Sequence, residues 1–599
     1  MIFMKKLTTR LLSLVLLGAF IPSFVLAETW DLGKGDITVT ATETSQTVSQ
    51  VNGETKDDPD PVITSSGKTE NTVTINAETN ATAKVTLENV NIDVSSNSEA
   101  AITTQGQGDV TLNLSGNNSV QSGEYHAGVH KGNARNLTVT TPEGGTGSLN
   151  ATGGKGGAGI GGDIDGGKGN NITISGGTIV ARGGEHSAGI GGGGNGSAKD
   201  ASNITVSGGN VTAYGSGYAA GIGGGKNSSG ATNVNISGGE VHASTDYGNG
   251  GAGIGSGKES SGATNIEITG DALVYAGSSG GAAIGSGKSS TGETTINIHD
   301  TNPEKGVKSA FAYGGAGIGS GERAKGETRI TIGKAFVSTL ESPAASTNTS
   351  GAGIGTGYGS QSNADITITE STVKAVGGTG AAIGSGSEGD VFSPPTGDPN
   401  TFKTIIRITD SNVTASSGPS AAIGSGSYST NATEIHINGG KIKASNYSGS
   451  AIGSGDSAKG KTGIYITGSN VTATADIGTG IGSGTSSSGE TTIDISGGTV
   501  TAMGGGDGYD GSAGIGSGSH STGYTHITLH DGVTVKATGG GNSSLGGGGG
   551  AGIGSGNRAK GNTDILIKGA TKVTAKGGST AAGIGSGNGS NGSTIINIE

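Results

Sequence analysis

Hydrophobic and polar residues alternate along most of this chain, in short runs separated by glycine, asparagine and serine. The run Thr232–Ile236 reads Thr-Asn-Val-Asn-Ile, and Val241 and Ala243 follow a Gly-Gly pair. A third run, Ala252–Ser256, reads Ala-Gly-Ile-Gly-Ser. Because side chains alternate faces along a strand, each run has one apolar or small face and one polar or glycine face. The pattern therefore predicts three short, half-buried strands in each unit.

The Ala-Gly-Ile-Gly-Ser-Gly motif recurs with small changes and marks the units of a repeat. Its isoleucine occurs at Ile160, Ile190, Ile222, Ile254, Ile284, Ile318, Ile354, Ile383, Ile423, Ile452, Ile481, Ile515, Ile553 and Ile584. These 14 copies span 424 residues, so the mean step is 424/13, about 33 residues, which is typical of repeat architectures. Extra residues fall only at two corners, the longest at 385–403 and 337–350. Fixed strands with variable turns predict one coil of a parallel β-helix per unit.

We therefore expect an all-β fold, a single elongated parallel β-helix with about 14 regular three-strand coils and looser N-terminal coils. Residues 28–150 are assigned to these N-terminal capping coils and 151–599 to the regular repeats. Trp30 is expected to cover the first core layer, and Asp57–Asp60 is interpreted as a solvated turn.

Other repeat folds explain the pattern less well. A propeller closes with about 4–8 blades, fewer than the 14 units here. Ankyrin and TPR arrays need helix-forming runs, and the calcium-binding nonapeptide helix needs a motif that does not recur in this chain. Trimeric autotransporter heads have somewhat similar Ala-Ile-Gly pieces, but with a repeat about half as long, and no coiled-coil stalk is evident.

Residues 1–27 have the features of a bacterial secretory signal. Lys5, Lys6 and Arg10 precede the apolar run Leu11–Phe24, and Val25–Ala27 supplies small residues for cleavage. A single membrane anchor is the alternative, but the run is short for a span. We expect a secreted, extracellular or cell-surface protein without a later transmembrane segment. The chain has no cysteine, so packing alone must stabilise it.

The net charge narrows the choice of partners. It is -12, and removal of the three positive charges of the signal takes it to -15. An acidic chain without basic runs argues against nucleic acid and anionic lipid as partners.

The repeated residues have predicted physical roles. The isoleucines should stack from coil to coil, each adding about 1.5–3 kcal/mol of burial. Threonine at the start of the first strand should pass hydrogen bonds from coil to coil. The glycines flanking each isoleucine either suit sharp backbone bends or form a smooth face for a polymer; the first explanation is favoured.

At this level of detail the chain resembles a known group of proteins. The T-x-I-x-I-S-G-G, V-T-A and A-G-I-G-S-G runs, together with Asp109–Asn117, resemble bacterial extracellular β-helix proteins of the pectate-lyase-like class. The similarity covers about 71–599 and is greatest to the non-catalytic carbohydrate-binding and adhesin members. It implies a right-handed β-helix, and it implies calcium or plant-type polysaccharide as ligands.

A candidate ligand patch lies on the outward side of the first strand of four consecutive units. The central outward residue there is Arg407, His436, Tyr465 or Asp494. At one strand spacing these side chains would be about 5 Å apart. They are interpreted either as a sugar or carboxylate contact patch or as four unrelated surface side chains. No clustered carboxylates of the kind that polysaccharide lyases and hydrolases need appear along this position.

Asp163 and Asp165 lie between glycine pairs and are the candidate metal ligands. The alternative is a plain acidic turn. No cofactor is required by the sequence, and calcium is compatible with it.

Together these features predict a non-catalytic, rod-like adhesion or carbohydrate-binding protein; the alternative is a polysaccharide lyase or hydrolase of the same class. Expected partners are polysaccharide or a host or matrix surface. The last strand, Thr594–Ile598, is expected to pair with Thr563–Ile567 and to offer a free edge for self-association, unless the chain is a fragment.

Overall fold

A computed structural model describes residues 27–599 except 52, 133, 165–168, 195–201, 246–249, 340–349, 390–397, 507–509, 542–546 and 570. The chain forms a single elongated parallel β-helix, which confirms the predicted fold class. The only helical element in the described part is a 3-10 turn, Leu32–Lys34. No helix in that part is long and apolar enough to cross a membrane. Each regular coil adds one strand to each of three sheets.

The first sheet contains the Thr-x-Ile-x-Ile strands and their looser N-terminal equivalents. Its strands are Thr29–Asp31, Val62–Thr64, Thr82–Glu88, the first half of Asp109–Gln121, Asn136–Thr140, Ile172–Ile174, Ser202–Val206, Thr232–Ile236, Thr264–Gly270, Thr294–Thr301, Thr328–Gly333, Ala364–Thr369, Lys403–Thr409, Ala432–Asn438, Thr462–Thr467, Thr491–Ser496, Thr525–His530, Thr563–Ile567 and Thr594–Ile598.

The second sheet contains the Val-x-Ala strands. Its strands are Asn91–Asp93, the second half of Asp109–Gln121, Gly147–Thr152, Thr178–Arg182, Asn210–Gly215, Glu240–Thr245, Leu273–Ser278, Gly306–Ala312, Phe336–Ser338, Thr372–Val376, Asn412–Ser417, Lys441–Asn446, Asn470–Ala475, Thr499–Met503, Thr534–Thr538 and Lys572–Lys576.

The third sheet contains the Ala-Gly-Ile-Gly-Ser strands. Its strands are Ile37–Ala41, Val73–Ala77, Ile102–Gly106, Val129–Lys131, Ile160–Gly161, Ile190–Gly191, Ile222–Gly223, Ile254–Gly255, Ile284–Gly285, Ile318–Gly319, Ile354–Gly355, Ile383–Gly384, Ile423–Gly424, Ser450–Gly453, Thr479–Gly482, Ile515–Gly516, Ile553–Gly554 and Ile584–Gly585. Gln46–Gln50 and Lys56–Asp57 join its N-terminal edge in antiparallel pairing.

The core is a column of aliphatic side chains that runs the length of the helix. In the third sheet each repeat isoleucine pairs in register with its equivalent in the next coil, as Ile254 does with Ile284. The column continues before the regular repeats through Val129 and Ile102. Four N-terminal strands therefore precede the 14 regular ones, and 18 coils at a spacing of about 4.8 Å span about 80 Å.

Trp30 and Asp58 close the first layer of this core. Trp30 is 8% exposed, as expected, and its Nε1–H donates to Asp58 Oδ2 at 2.9 Å. Asp58 also accepts from the Glu28 backbone N–H and is fully buried. The interpretation of this aspartate as part of a solvated turn is therefore wrong, because the Trp30 indole and the Glu28 backbone N–H satisfy its charge.

The predicted threonine ladder is interrupted at four coils, and a serine ladder connects the coils instead. The first-strand hydroxyls of Thr328, Thr404, Thr433 and Thr563 are buried and have no hydrogen-bond partner. Instead, the hydroxyl of the serine that follows the third-sheet strand accepts from a glycine N–H of the next coil. This contact recurs ten times at 2.9–3.3 Å, from Ser256 to Ser555, with Thr356 replacing serine once.

The glycine that follows each repeat isoleucine is required by the backbone. All 14 have φ between 128° and 143°, a conformation that side chains disfavour. In the first 13, from Gly161 to Gly554, a Cβ would lie 1.7–2.1 Å from the carbonyl oxygen of the equivalent glycine in the next coil. All 14 are also buried, which favours the conformational explanation over a smooth polymer-binding face.

The last strand has the predicted neighbour. Thr594–Ile598 pairs in parallel with Thr563–Ile567. Ile595, Ile596 and Ile598 are exposed.

Candidate functional site

The outward face of the first sheet holds the four predicted ligand residues in register. Arg407 pairs with His436, His436 with Tyr465, and Tyr465 with Asp494, on four consecutive coils. This adjacency is the one that the repeat alignment predicts. Ligand binding by these residues stays a prediction.

Most of these side chains already have a charged partner within the protein. Arg407 Nη1 lies 2.5 Å from Asp365 Oδ1 on the preceding coil. Asp494 Oδ1 lies 2.8 Å from His530 Nε2 on the following coil. The hydrogen bond with Asp494 raises the pKa of the His530 imidazole, and Asp531 adds to the effect. We call Asp365, Arg407, Glu434, His436, Tyr465, Asp494 and His530 the charged ladder.

His436 and Tyr465 form an aromatic pair at the centre of the charged ladder. Their rings stack with centroids 4.8 Å apart and an interplanar angle of 11°. His436 Nε2 is also 2.6 Å from Glu434 Oε1. A Cβ at Gly463 would lie 3.0 Å from the Tyr465 ring, so this glycine gives the ring room to lie along the sheet. Tyr465 itself is 37% exposed.

A shallow groove of about 330 Å³ adjoins this pair and is lined by oppositely charged groups. Lys403 is ion-paired with Glu434, and Lys461 Nζ lies 2.9 Å from Glu490 Oε2. The lysine hydrogen bonds lower the pKa of both glutamates. These carboxyls therefore remain ionised at neutral pH.

A second groove of about 330 Å³ lies further towards the N-terminus on the same face. It contains an amide ladder: Asn203 Nδ2 donates to Asn171 Oδ1 (3.1 Å), Asn233 to Asn203 (2.6 Å) and Asn265 to Asn233 (2.8 Å). The sequence analysis missed this ladder because it followed only the central outward position. The signal was asparagine directly after the first threonine or serine of three consecutive units.

Asp163, one of the two predicted metal ligands, has different neighbours from the one expected. Asp165 lies outside the described residues. Asp163 Oδ2 is instead 2.7 Å from His126 Nδ1 and 3.4 Å from His130 Nε2. One ligand atom from each of the three residues lies within 4.8 Å of the others. Burial lowers the pKa of the His130 imidazole, although Asp163 acts in the opposite direction.

The sequence analysis missed the two histidines because it placed the first repeat unit at Ile160, one coil after theirs. Val129 pairs with Ile160, so Ala127–Gly132 is a further copy of the repeat motif. In that copy His130 stands where all 14 regular units have glycine. Extending the alignment by one unit, with valine allowed for isoleucine, would have revealed both histidines.

Comparison with known proteins finds similarity to a family of repeats. A model of the Beta helix repeat matches eight segments of the chain, at 172–194, 204–226, 234–258, 366–387, 406–427, 435–456, 493–519 and 565–588. Each segment runs from a first-sheet strand to a third-sheet strand and so corresponds to most of one coil. No curated protein and no solved structure matches the chain.

Proposed function

We propose that this chain, a right-handed parallel β-helix repeat protein, binds an extended polysaccharide along the outward face of its first sheet without cleaving it. The observation that carries this proposal is the pair of grooves that follow the amide and charged ladders. Both repeat polar groups once per coil, at a spacing of about 4.8 Å. A linear polymer of sugar rings presents hydroxyl groups with similar regularity.

The amide ladder is suited to hydroxyl groups. Each ladder asparagine has two N–H donors and an acceptor oxygen, and the contact to its neighbour uses one of each. One donor and one acceptor lone pair per residue are therefore left for a ligand. Glu267 and Asn297 line the same groove and add acceptors.

The charged ladder adds an aromatic surface. Tyr465 is held flat by its stacking on His436, and an amphipathic ring of this kind offers apolar contact area with little entropy to lose. Polar and charged groups from Lys403, Lys461 and Glu490 surround it. A sugar ring over Tyr465 could hydrogen-bond to these groups at its edges.

The state of the carboxyls supports binding without catalysis. A general acid for glycoside cleavage needs a raised pKa, whereas Lys403 and Lys461 lower the pKa of Glu434 and Glu490. Asp365 and Asp494 are paired with Arg407 and His530. These ion pairs hold the carboxyls of this face in their ionised form.

The proposed setting is the cell exterior. Residues 1–27 have the pattern of a secretory signal, and a rod of about 80 Å that exposes one long polar face is suited to adhesion to a polysaccharide or a host or matrix surface.

Affinity electrophoresis against a panel of neutral and acidic polysaccharides tests the proposal. We expect retardation by at least one polymer, and the Asn203→Ala/Asn233→Ala or the Tyr465→Ala variant should lose at least about tenfold in affinity, or 1.4 kcal/mol. Asn210→Ala is the matched control, because it removes the same amide from the second sheet of the same coil. Absence of retardation, or retardation that none of the first-sheet variants weakens, would contradict the proposal.

The same samples address the alternative of a lyase or hydrolase. Each polysaccharide is incubated with the protein and assayed for new reducing ends and for unsaturated products. We expect neither. Cleavage that disappears in Arg407→Ala would establish the alternative instead.

A further inference from the structure

We infer that His126, His130 and Asp163 bind one divalent first-row transition-metal ion, with the donor chemistry of a Zn²⁺ site, between the last N-terminal coil and the first regular coil. The two histidines come from the coil that contains Val129–Lys131. Asp163 comes from the coil that contains Ile160–Gly161. The ion would therefore join two neighbouring coils, in addition to the sheet pairing and core packing between them.

The donor atoms are already close to the arrangement that such an ion needs. At metal–ligand distances of about 2.0–2.1 Å, neighbouring donors of a tetrahedral site lie about 3.3 Å apart. Asp163 Oδ2 and His130 Nε2 are 3.4 Å apart. Asp163 Oδ2 and His126 Nδ1 are 2.7 Å apart, so they need to separate by about half an ångström to admit the ion.

The carboxylate of Asp163 is oriented by the backbone. The Ala127 N–H donates to Asp163 Oδ1 at 2.6 Å, which leaves Oδ2 directed towards both imidazoles. A hydrogen bond to the second oxygen is a common way of fixing a metal-binding carboxylate. The three side chains are 15–31% exposed, so water can reach the remaining coordination positions.

The repeat shows that two of these side chains stand where the other coils have glycine. Asp163 occupies a position that is glycine in the 13 later units, and His130 occupies one that is glycine in all 14. Gly157 lies against the backbone of His126, where a Cβ would be 2.0 Å from the His126 carbonyl oxygen. Three possible ligands thus meet where later coils have glycine at the positions of Asp163 and His130.

The donor set favours a transition metal over calcium. Calcium prefers six to eight oxygen donors, whereas two imidazole nitrogens and one carboxylate are typical of zinc and of other first-row ions. Among the described residues, the other histidine–carboxylate contacts, such as His242 with Glu240, do not bring three ligand atoms within 4.8 Å of one another.

Calorimetric titration of the tag-free, chelator-treated full chain with Zn²⁺ tests the inference. We expect one ion per chain, and a loss of at least about tenfold in affinity in His130→Ala and in Asp163→Asn. Asp163→Asn keeps an acceptor for the Ala127 N–H. Asp163→Gly restores the residue of the later coils and should fold normally, as circular dichroism would show. His242→Ala is the matched control and should bind Zn²⁺ as the unmodified chain does.

A titration with Co²⁺ gives a second readout, because its visible absorption reports the coordination geometry. We expect bands of a four- or five-coordinate ion that disappear in the Asp163→Gly variant. The inference is overturned by the absence of saturable Zn²⁺ binding, by Zn²⁺ binding that both ligand variants retain, or by selective binding of Ca²⁺ in place of Zn²⁺.

Discussion

The amide ladder and the charged ladder occupy the same face of the first sheet, on different strands with the same inward pattern. Ile266 and Ile435 point inwards at the same position of the repeat, and both are buried. Outside, however, Asn233 and Asn265 bond to one another as neutral amides, whereas Arg407 is held by the carboxylate of Asp365. The comparison teaches that the inward positions specify the coil, while the outward positions vary in chemistry without changing the register.

The largest effect should come from the glycines that both regions share. In Gly424→Val, the new Cβ would lie 1.7 Å from the Gly453 carbonyl oxygen at a φ of 143°. We expect a loss of about 3–5 kcal/mol in stability, measured by urea denaturation, and a similar loss for Gly223→Val beneath the amide ladder. Gly67→Ala is the control, because its Cβ would meet nothing within 4 Å. Equal stability of Gly424→Val and Gly67→Ala would contradict the packing described here.

Breaking the amide ladder should have a smaller effect. Asn233→Ala removes two hydrogen bonds, to Asn203 and from Asn265. We expect a loss of about 1 kcal/mol, and because no net charge is involved, the loss should be the same in 0.05 M and 1 M salt. Urea denaturation at the two salt concentrations gives the values, with Asn210→Ala as the reference. A strong salt dependence would show that the ladder is not purely neutral.

The charged ladder should respond in the opposite way to salt. Arg407→Ala removes a half-exposed ion pair with Asp365, which is worth less than about 1 kcal/mol. At 1 M salt, where the screening length is about 3 Å, the difference from the unmodified chain should largely disappear. The same urea denaturation series measures this difference in stability. A loss that persists unchanged in 1 M salt would assign the effect to the packing of the arginine stem.

The smallest effect is a dependence on pH in the charged ladder, which the amides of the amide ladder should not show. The raised pKa of His530 means that its stabilisation is complete below about pH 6.5 and is lost as pH rises through the folded-state value. The lowered pKa values of Glu434 and Glu490 mean that their stabilisation is present above about pH 4.5 and is lost as pH falls through the folded-state values. The charged ladder and the adjoining Lys461–Glu490 pair should therefore be most stable between about pH 4.5 and 6.5.

Hydrogen exchange on peptides that cover single strands measures this dependence of local stability on pH. After correction for the intrinsic pH effect, protection of Thr525–His530 should decrease by less than a factor of about five between pH 6 and pH 8. Ser202–Val206 has no titratable side chain and serves as the internal control. His530→Asn should abolish the difference, and equal behaviour of both strands in the unmodified chain would contradict the prediction.

The fold could be predicted from the sequence because each coil repeats the same alternation of inward apolar and outward polar residues. Alternation in Thr232–Ile236 and the isoleucine spacing were sufficient to place the strands, and the register of Arg407 with His436 followed from the same alignment. The partners of the outward side chains could not be predicted in this way. Asp365 reaches Arg407 from two residues along the neighbouring strand, and a contact of this kind depends on rotamers rather than on period.

The hydroxyl ladder and the metal ligands show two different limits of the sequence. Threonine and serine are both polar residues at inward positions, and only the structure distinguishes the orphaned Thr404 hydroxyl from the bonded Ser425 hydroxyl. The histidines at 126 and 130 were readable in principle. They were missed because the sequence of their coil departs from the consensus. In a repeat protein, positions that depart from the consensus are therefore the places to look for a site.

The serine ladder also has a consequence for how such a chain can change in length. Each Ser-to-Gly hydrogen bond joins a coil only to its immediate neighbour, as Ser425 does with Gly455, and the sheets likewise pair each coil with the one before and the one after. Contacts of this kind do not fix the number of coils. Recombination between similar coding units could therefore add or remove whole coils in frame, so that variants of one gene would encode rods of different reach with the same surface chemistry.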